Sequence, residues 1–251
     1  MNGGAGAVVA QGPGIRIEGL VLRFGAGRVF DGLDLDLPGG QLTAMLGASG
    51  VGKTSLLRVL AGLLPAEAGR ITAADGGALA GRIAYMGQQD LLLPWLSALG
   101  NVMLGARLRG ARPDRERALD LLDRVGLGGA AALRPAALSG GMRQRVALAR
   151  TLYEDRPVVL MDEPFSALDG LTRARVQTLA AGLLRGRTVL LITHDPMEAC
   201  RLAQRVLVLC GFPARCGAPL LLAGDAPRAV DDPVVLAAQG GLMRNLLGGA
   251  G

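Results

Sequence analysis

Residues 47–54 read Gly47-Ala48-Ser49-Gly50-Val51-Gly52-Lys53-Thr54, a G-x-x-x-x-G-K-T spacing suited to holding a chain of phosphates. Glycines let successive backbone N–H groups turn inward around anionic oxygens, and the start of a following helix adds its dipole and unpaired donors. Lys53 would reach β- and γ-phosphate oxygens, and the Thr54 hydroxyl would hold Mg²⁺, with Ser55 beside it. The flanks suit the motif: residues 41–46 read as a short buried strand, and residues 55–64 have helical apolar spacing. Lys53 is the only lysine in the chain, every other basic residue being arginine. An ammonium is kept where a compact charge differs most from a planar fork. The alternative is a glycine-rich turn that happens to precede a helix, and both flanks weigh against it.

A second cluster lies at Val158-Val159-Leu160-Met161-Asp162-Glu163, an apolar strand that ends in two carboxylates. At the C-terminal edge of a doubly wound sheet such acids stand beside the phosphate loop. Asp162 would bind Mg²⁺ through water, and Glu163 would act as general base toward an attacking water. A solvated acidic pair at a strand end is the plain alternative; the loop upstream argues against it.

The third cluster is Leu138-Ser139-Gly140-Gly141-Met142-Arg143-Gln144-Arg145. Ser139 and the amides of Gly140 and Gly141 open a helix, which makes an anion-binding N-terminus. This run resembles the L-S-G-G signature of the ABC-transporter ATPases, and is far more specific than the phosphate loop alone. The resemblance covers roughly residues 15–210, with its motifs in order. It implies a head-to-tail homodimer, in which Ser139, Gly140, Gly141 and Gln144 close over the nucleotide held by the partner. It also implies ATP and Mg²⁺ as ligands. Gln88 resembles the glutamine that senses Mg²⁺ and the γ-phosphate, Asp169 the aspartate at the dimer seam, and His194 the switch histidine on the γ-phosphate. Phe24 resembles the aromatic that stacks on adenine; a core strand residue is its other reading. Gly87 departs from the large residue that usually precedes the glutamine, which implies a more mobile loop. The C-terminal part matches no regulatory domain of the family.

Several elements must place these groups. Alternation predicts strands at residues 15–24 and 30–37, the latter with Leu33, Leu35 and Leu37 on one face and Asp34 and Asp36 on the other. Residues 25–27 read as a turn. Residues 69–73 and 82–86 read as two strands joined by Asp75-Gly76-Gly77 as a hairpin. Helices are expected at 97–108, 112–125, 138–152, 172–184 and 196–203, with a further one at 233–247. Strands are expected at 157–161, 188–193 and 205–210. With these elements the resemblance implies an α/β fold class, a P-loop NTPase (RecA-like) core with an N-terminal antiparallel β subdomain and an inserted α-helical subdomain at about 89–140. The ATPase domain spans 15–210, between a flexible tail at 1–14 and a short extension at 211–251.

Composition narrows the remaining choices. Of 251 residues half are hydrophobic but only 3% aromatic, so packing rests on Leu, Val and Ala. The net charge of +6 comes from scattered arginines without aromatic interleaving, so nucleic acid is not an expected partner. Three cysteines, Cys200, Cys210 and Cys216, fit neither zinc nor redox spacing and point to a reducing compartment. His194 is the only histidine, which sets aside histidine-built metal clusters. No apolar run is long enough to span a membrane and no positive region opens the N-terminus. The resemblance then implies a peripheral subunit on the cytoplasmic face of the cell membrane, working with permease subunits and a periplasmic or lipoprotein solute-binding protein. Leu92-Leu93-Pro94-Trp95-Leu96 and Asn101-Val102 look like the nitrate/sulfonate/taurine branch of importers. Residues 84–95, 155–161 and 211–219 look most like members assigned to hydroxymethylpyrimidine, a thiamine precursor, so that cargo is the expectation. Nitrate, sulfonate or taurine import, lipoprotein release and export are the alternatives. A DNA-repair or chromosome-organising relative is disfavoured, because no long heptad insertion separates Gln88 from Ser139.

Overall fold

The computed structural model describes residues 11–25 and 27–248. Its first element is a hairpin: β1 (Ile15–Phe24) pairs antiparallel with β2 (Gly27–Leu37), from Ile15 opposite Leu37 to Phe24 opposite Gly27. Leu33, Leu35 and Leu37 are buried and Asp34 and Asp36 exposed, as the alternation predicts. Ala26 of the expected turn lies outside the described residues. β3 (Leu42–Gly47) follows, then the glycine loop, then α1 (Lys53–Leu60).

The next two strands do not pair with each other, contrary to the expected hairpin. β4 (Ala68–Ala73) adds antiparallel to β1, whereas β5 (Ile83–Met86) runs parallel to β6 (Val158–Asp162) in a different sheet. The turn at Asp75 forms, with Asp75 Oδ1 accepting from Gly77 N at 3.0 Å. The chain nevertheless leaves the first sheet there, because Ala84 and Met86 bury against the helices beyond β5.

Between β5 and β6 lie α2 (Ala98–Val102), α3 (Leu104–Leu108), α4 (Arg115–Arg124) and α5 (Gly140–Tyr153). The single helix expected over 97–108 is broken at Met103, whose φ of −83° and ψ of 1° leave the helical region. Asp114 caps α4 by accepting from Arg117 N at 3.0 Å, and Ser139 caps α5 by accepting from Met142 N at 3.2 Å. After β6 come α6 (Gly170–Leu183), β7 (Thr188–Ile192), α7 (Pro196–Leu202) and β8 (Arg205–Cys210). β9 (Arg215–Cys216), β10 (Leu220–Leu221) and α8 (Pro233–Gly248) complete the described chain.

The strands form two sheets, β2-β1-β4 and β10-β8-β3-β7-β6-β5, with β9 also on β8. The middle of the larger sheet is parallel and buried on both faces, which is why β6 and β7 read as unbroken apolar runs. Alternate residues serve two cores. Val158, Leu160, Leu190 and Ile192 pack with the small sheet and α1; Val159, Met161, Val189 and Leu191 pack with α2 and α4–α7. This arrangement brings the ends of β3, β6 and β7 to one edge.

Both ends of the described chain are tied to the core. Residues 1–10 of the expected tail lie outside the described residues, but Gly12 and Pro13 are buried. Gly12 N donates to Gly186 O at 2.7 Å and Thr188 Oγ1 to Pro13 O at 2.8 Å. The segment after residue 210 pairs with β8 through β9 and β10, and Val235 and Leu242 of α8 enter the core.

Candidate nucleotide site

The glycine loop links the end of β3 to α1, and two of its glycines have no substitute. Gly47 has φ 152°, and a side chain there would collide with the Leu209 carbonyl on β8. Gly52 has φ 114°, and a Cβ there would lie 2.6 Å from Val29 Cγ1. Lys53 folds back over the loop, its Nζ donating to Gly47 O at 2.7 Å and Ala48 O at 2.9 Å. Burial lowers its pKa, and Glu163 and Asp162 oppose that shift.

Thr54 Oγ1 donates to Asp162 Oδ2 at 2.6 Å, joining α1 to the end of β6. Asp162 is 2% exposed. Burial raises its pKa, Glu163 adds to the rise, and Thr54 and Lys53 counter it. Glu163 follows in a left-handed backbone (φ 49°), uncommon for a side chain of this size. Its N–H donates to Ile192 O at 2.9 Å, fixing it to β7. Its carboxylate then lies 3.3 Å from Nδ1 of His194, which follows β7 and is exposed.

A cleft of about 260 Å³ joins these groups, lined by Ser49, Gly50, Gly52, Lys53, Thr54 and Ser55 with Gln88, Asp162 and Glu163. Gly47, Ala48 and Val51, also expected to bind nucleotide, do not line it. Val51 turns its side chain into the core, so only its backbone is available. Gln88 also lines an adjoining cleft that reaches Gly140 and Arg143. A Cβ on Gly87 would stand 3.2 Å from the Tyr85 hydroxyl, so the Tyr85 ring fills part of the space left by the missing large residue. Phe24 is 53% exposed at the end of β1, which removes the core reading.

The signature residues divide. Ser139 and Gly140 are exposed at the tip of α5, outside the cleft of their own chain. Gly141 packs closely, a Cβ there lying 3.0 Å from Ala167 O. Gln144, also expected at the partner's nucleotide, lines the adjoining cleft with Gln88 and Gly140 but spends its amide on its own chain. It is 6% exposed, donates to Glu163 O at 2.9 Å and Ser166 Oγ at 3.2 Å, and accepts from Ala167 N at 2.8 Å. Its amide holds the backbone that follows the acidic pair. Asp169 is exposed and caps α6, accepting from Thr172 N at 3.0 Å.

A buried polar relay behind the histidine escapes the sequence reading. Glu198 of α7 accepts from Gln177 Nε2 of α6 at 2.8 Å, and Gln177 Oε1 accepts from Arg201 at 2.7 Å. Arg201 Nε donates to Arg228 O at 3.2 Å. Arg228 directs its guanidinium at backbone carbonyls, including Cys200 O and Ala203 O at the end of α7. Thr193, next to His194, acts on the Glu198 carboxyl and lowers its pKa. The available signal was Glu198 itself, a carboxylate on the same helical stripe as Leu202.

The donor set fits a triphosphate with a hard cation. The backbone amides of a glycine loop and a buried ammonium suit phosphate oxygens, and a hydroxyl beside one carboxylate suits Mg²⁺, which takes most other ligands from phosphate and water. Among the described residues no group of three His, Cys, Asp or Glu side chains forms a separate metal centre.

Comparisons agree with this chemistry. The ABC transporter family model matches residues 30–166. The chain is 44% identical over 227 residues to the aliphatic sulfonates import ATP-binding protein SsuB 2 of Streptomyces avermitilis, covering 89% of this chain and 86% of that one. It is 41% identical over 239 residues to an uncharacterized ABC transporter ATP-binding protein of Haemophilus influenzae, covering 93% and 99%. Among solved structures, the dimeric post-hydrolysis state of the ATP-binding cassette MJ0796 bound to ADP and Pi superposes with a TM-score of 0.74 at 28% identity, covering 84% of this chain and all of that one.

Proposed function

The chain belongs to the ABC transporter ATP-binding family, and from that premise we propose that it energises bacterial import of aliphatic sulfonates by hydrolysing ATP between two copies of itself. The observation that carries the hydrolytic half is the cleft that gathers Lys53, Thr54, Asp162 and Glu163 at one sheet edge.

Each side chain has a task. Lys53 exchanges its loop carbonyls for phosphate oxygens, where its charge offsets the negative charge that develops in transfer. Thr54 and Asp162 would hold Mg²⁺, with Gln88 at the rim. When bound, that ion would supply charge neutralisation to the phosphates. Glu163 accepts a proton from the attacking water on its carboxylate, and His194 fixes that carboxylate while reaching the γ-phosphate. Gln144 keeps the backbone beyond Glu163 in place. Reaction of this kind depends on positioning and charge more than on covalent participation.

The exposed tip at Ser139 and Gly140, which does not line the phosphate cleft of its own chain, supports a site completed by a second copy, with Asp169 at the seam. The dimeric cassette among the structural neighbours supports the same arrangement. No described helix is long and apolar enough to cross a membrane, in keeping with permease subunits on separate chains and a peripheral place on the cytoplasmic face. Leu91 and Trp95, 62% and 65% exposed beside Gln88, give such a permease an apolar contact. A solute-binding protein would deliver the cargo.

For the cargo, the sulfonate importer names of the relatives support the sulfonate alternative. The expected hydroxymethylpyrimidine gains no support from them. Reconstitution with its permease subunits and solute-binding protein tests the reading. ATP-dependent uptake of an alkanesulfonate supports it; uptake of hydroxymethylpyrimidine alone, or efflux, overturns it.

A further inference from the structure

Phe212 is a second exposed ring beside Phe24. The chain has four phenylalanines. Phe30 and Phe165 are 0% and 1% exposed, whereas Phe24 and Phe212 are 53% and 68% exposed. A fold so short of aromatics leaves half of these rings in water, and it leaves them together.

Their closeness follows from three strand relationships. β8 and β9 form an antiparallel hairpin, with Leu209 opposite Cys216 and Cys210 opposite Arg215, so residues 211–214 are its tip. β8 runs parallel to β3 with Leu209 opposite Gly47, which places the tip just past the start of the phosphate loop. Ala214 N donates to Val29 O at 2.7 Å, binding the tip to β2. The position a Cβ would take on Gly27 lies 3.4 Å from Phe212 Cζ and 3.6 Å from Phe24 O. Gly27 is itself the ladder partner of Phe24. Both rings therefore stand at one end of the β1–β2 hairpin, on the ligand-binding edge of the sheet.

We infer that Phe212 is a second base-binding residue, which together with Phe24 gives the purine of the bound nucleotide two aromatic contacts. This rests on the ATPase reading above. A base has two flat faces and an apolar edge, and an exposed ring beside a phosphate site offers stacking that any base accepts. Neither phenylalanine carries a donor or acceptor, so the pair favours a nucleotide over a bare polyphosphate and separates adenine from guanine weakly.

The test is equilibrium binding of ATP, GTP and inorganic tripolyphosphate to the full chain and to Phe212→Ala and Phe212→Trp. The expected result is a roughly tenfold rise in Kd for ATP and for GTP in Phe212→Ala, on the scale of one lost base–aromatic stack. Tripolyphosphate affinity stays unchanged, and Phe212→Trp binds ATP at least as tightly as the native chain. An unchanged ATP Kd in Phe212→Ala overturns the inference while leaving the ATPase reading intact, as does an equal loss for tripolyphosphate. A native chain that binds tripolyphosphate as tightly as ATP overturns it too. A native chain that binds no nucleotide overturns both readings.

Discussion

His194 Nδ1 lies 3.3 Å from a carboxylate oxygen of Glu163, and Glu163 reaches it from a left-handed backbone held to β7 by the Ile192 carbonyl. A backbone held in a sparsely populated region persists only where its surroundings over-determine it. Here it turns the carboxylate away from the strand and toward the cleft. Glu163→Gln should lower turnover by about 10²- to 10⁴-fold, the usual contribution of a general base, while ATP binding is retained. Phosphate release beside equilibrium binding checks this, and wild-type turnover would show that another group takes the proton.

Lys53 donates to two loop carbonyls that a phosphate would replace. Lys53→Ala should weaken ATP binding by about ten- to a hundredfold, the scale of a lost hydrogen bond to a charged group. Lys53→Arg should not restore it, because a planar fork does not fit a point-charge site. Calorimetric titration of the three chains decides the matter.

Gln144 is buried and satisfies both a donor and two acceptors around the acidic turn. Gln144→Leu leaves the Ala167 amide without its partner, at a cost of about 1–3 kcal/mol. Urea unfolding should register that loss, and kcat should fall with little change in the Kd for ATP. A selective loss of ATP affinity at unchanged stability would return Gln144 to the nucleotide.

Glu198 titrates within the folded core. Burial pushes its carboxyl from 4.5 up to about 7, against the opposing action of Thr193 and Gln177. Asp195 adds to the rise and Arg173 resists it. Between those two values the folded chain holds a proton that the unfolded chain has released. Stability from this group is therefore lost as pH rises through the window, by up to about 1.4 kcal/mol per unit. Below the window its ionisation costs nothing; above it the cost is complete. Glu198→Gln should flatten the stability curve across the window, as read by urea unfolding at successive pH values. A slope identical to that of the native chain would contradict the assignment.

The motifs were legible where local chemistry decides structure. Gly47 to Thr54, the apolar run into Asp162 and Glu163, and the Ser139 cap each carry spacing that needs no tertiary information. Pairing partners were less legible. β4 and β5 share a plausible turn, yet their partners are β1 and β6, which lie far away in sequence. The bonds of Gln144 were illegible for a related reason: its motif gives the residue, but only the packed chain shows its amide turned toward Ala167. Glu198, Gln177, Arg201 and Arg228 come from three separate segments, and only packing α6, α7 and the C-terminal segment together unites them. That segment looked like weak pattern because β9 and β10 are only two residues each and its buried contribution is one arginine and a few apolar side chains.

The central claim is that two identical chains enclose each ATP, the Lys53 side of one meeting the Ser139 tip of the other. Light scattering on the Glu163→Gln chain with ATP and Mg²⁺ tests it most directly. The account predicts the mass of two chains, returning to one when ATP is withdrawn or when Ser139 is replaced by a bulky residue. A chain that binds ATP with full stoichiometry yet keeps the mass of one, with or without its permease, would contradict it.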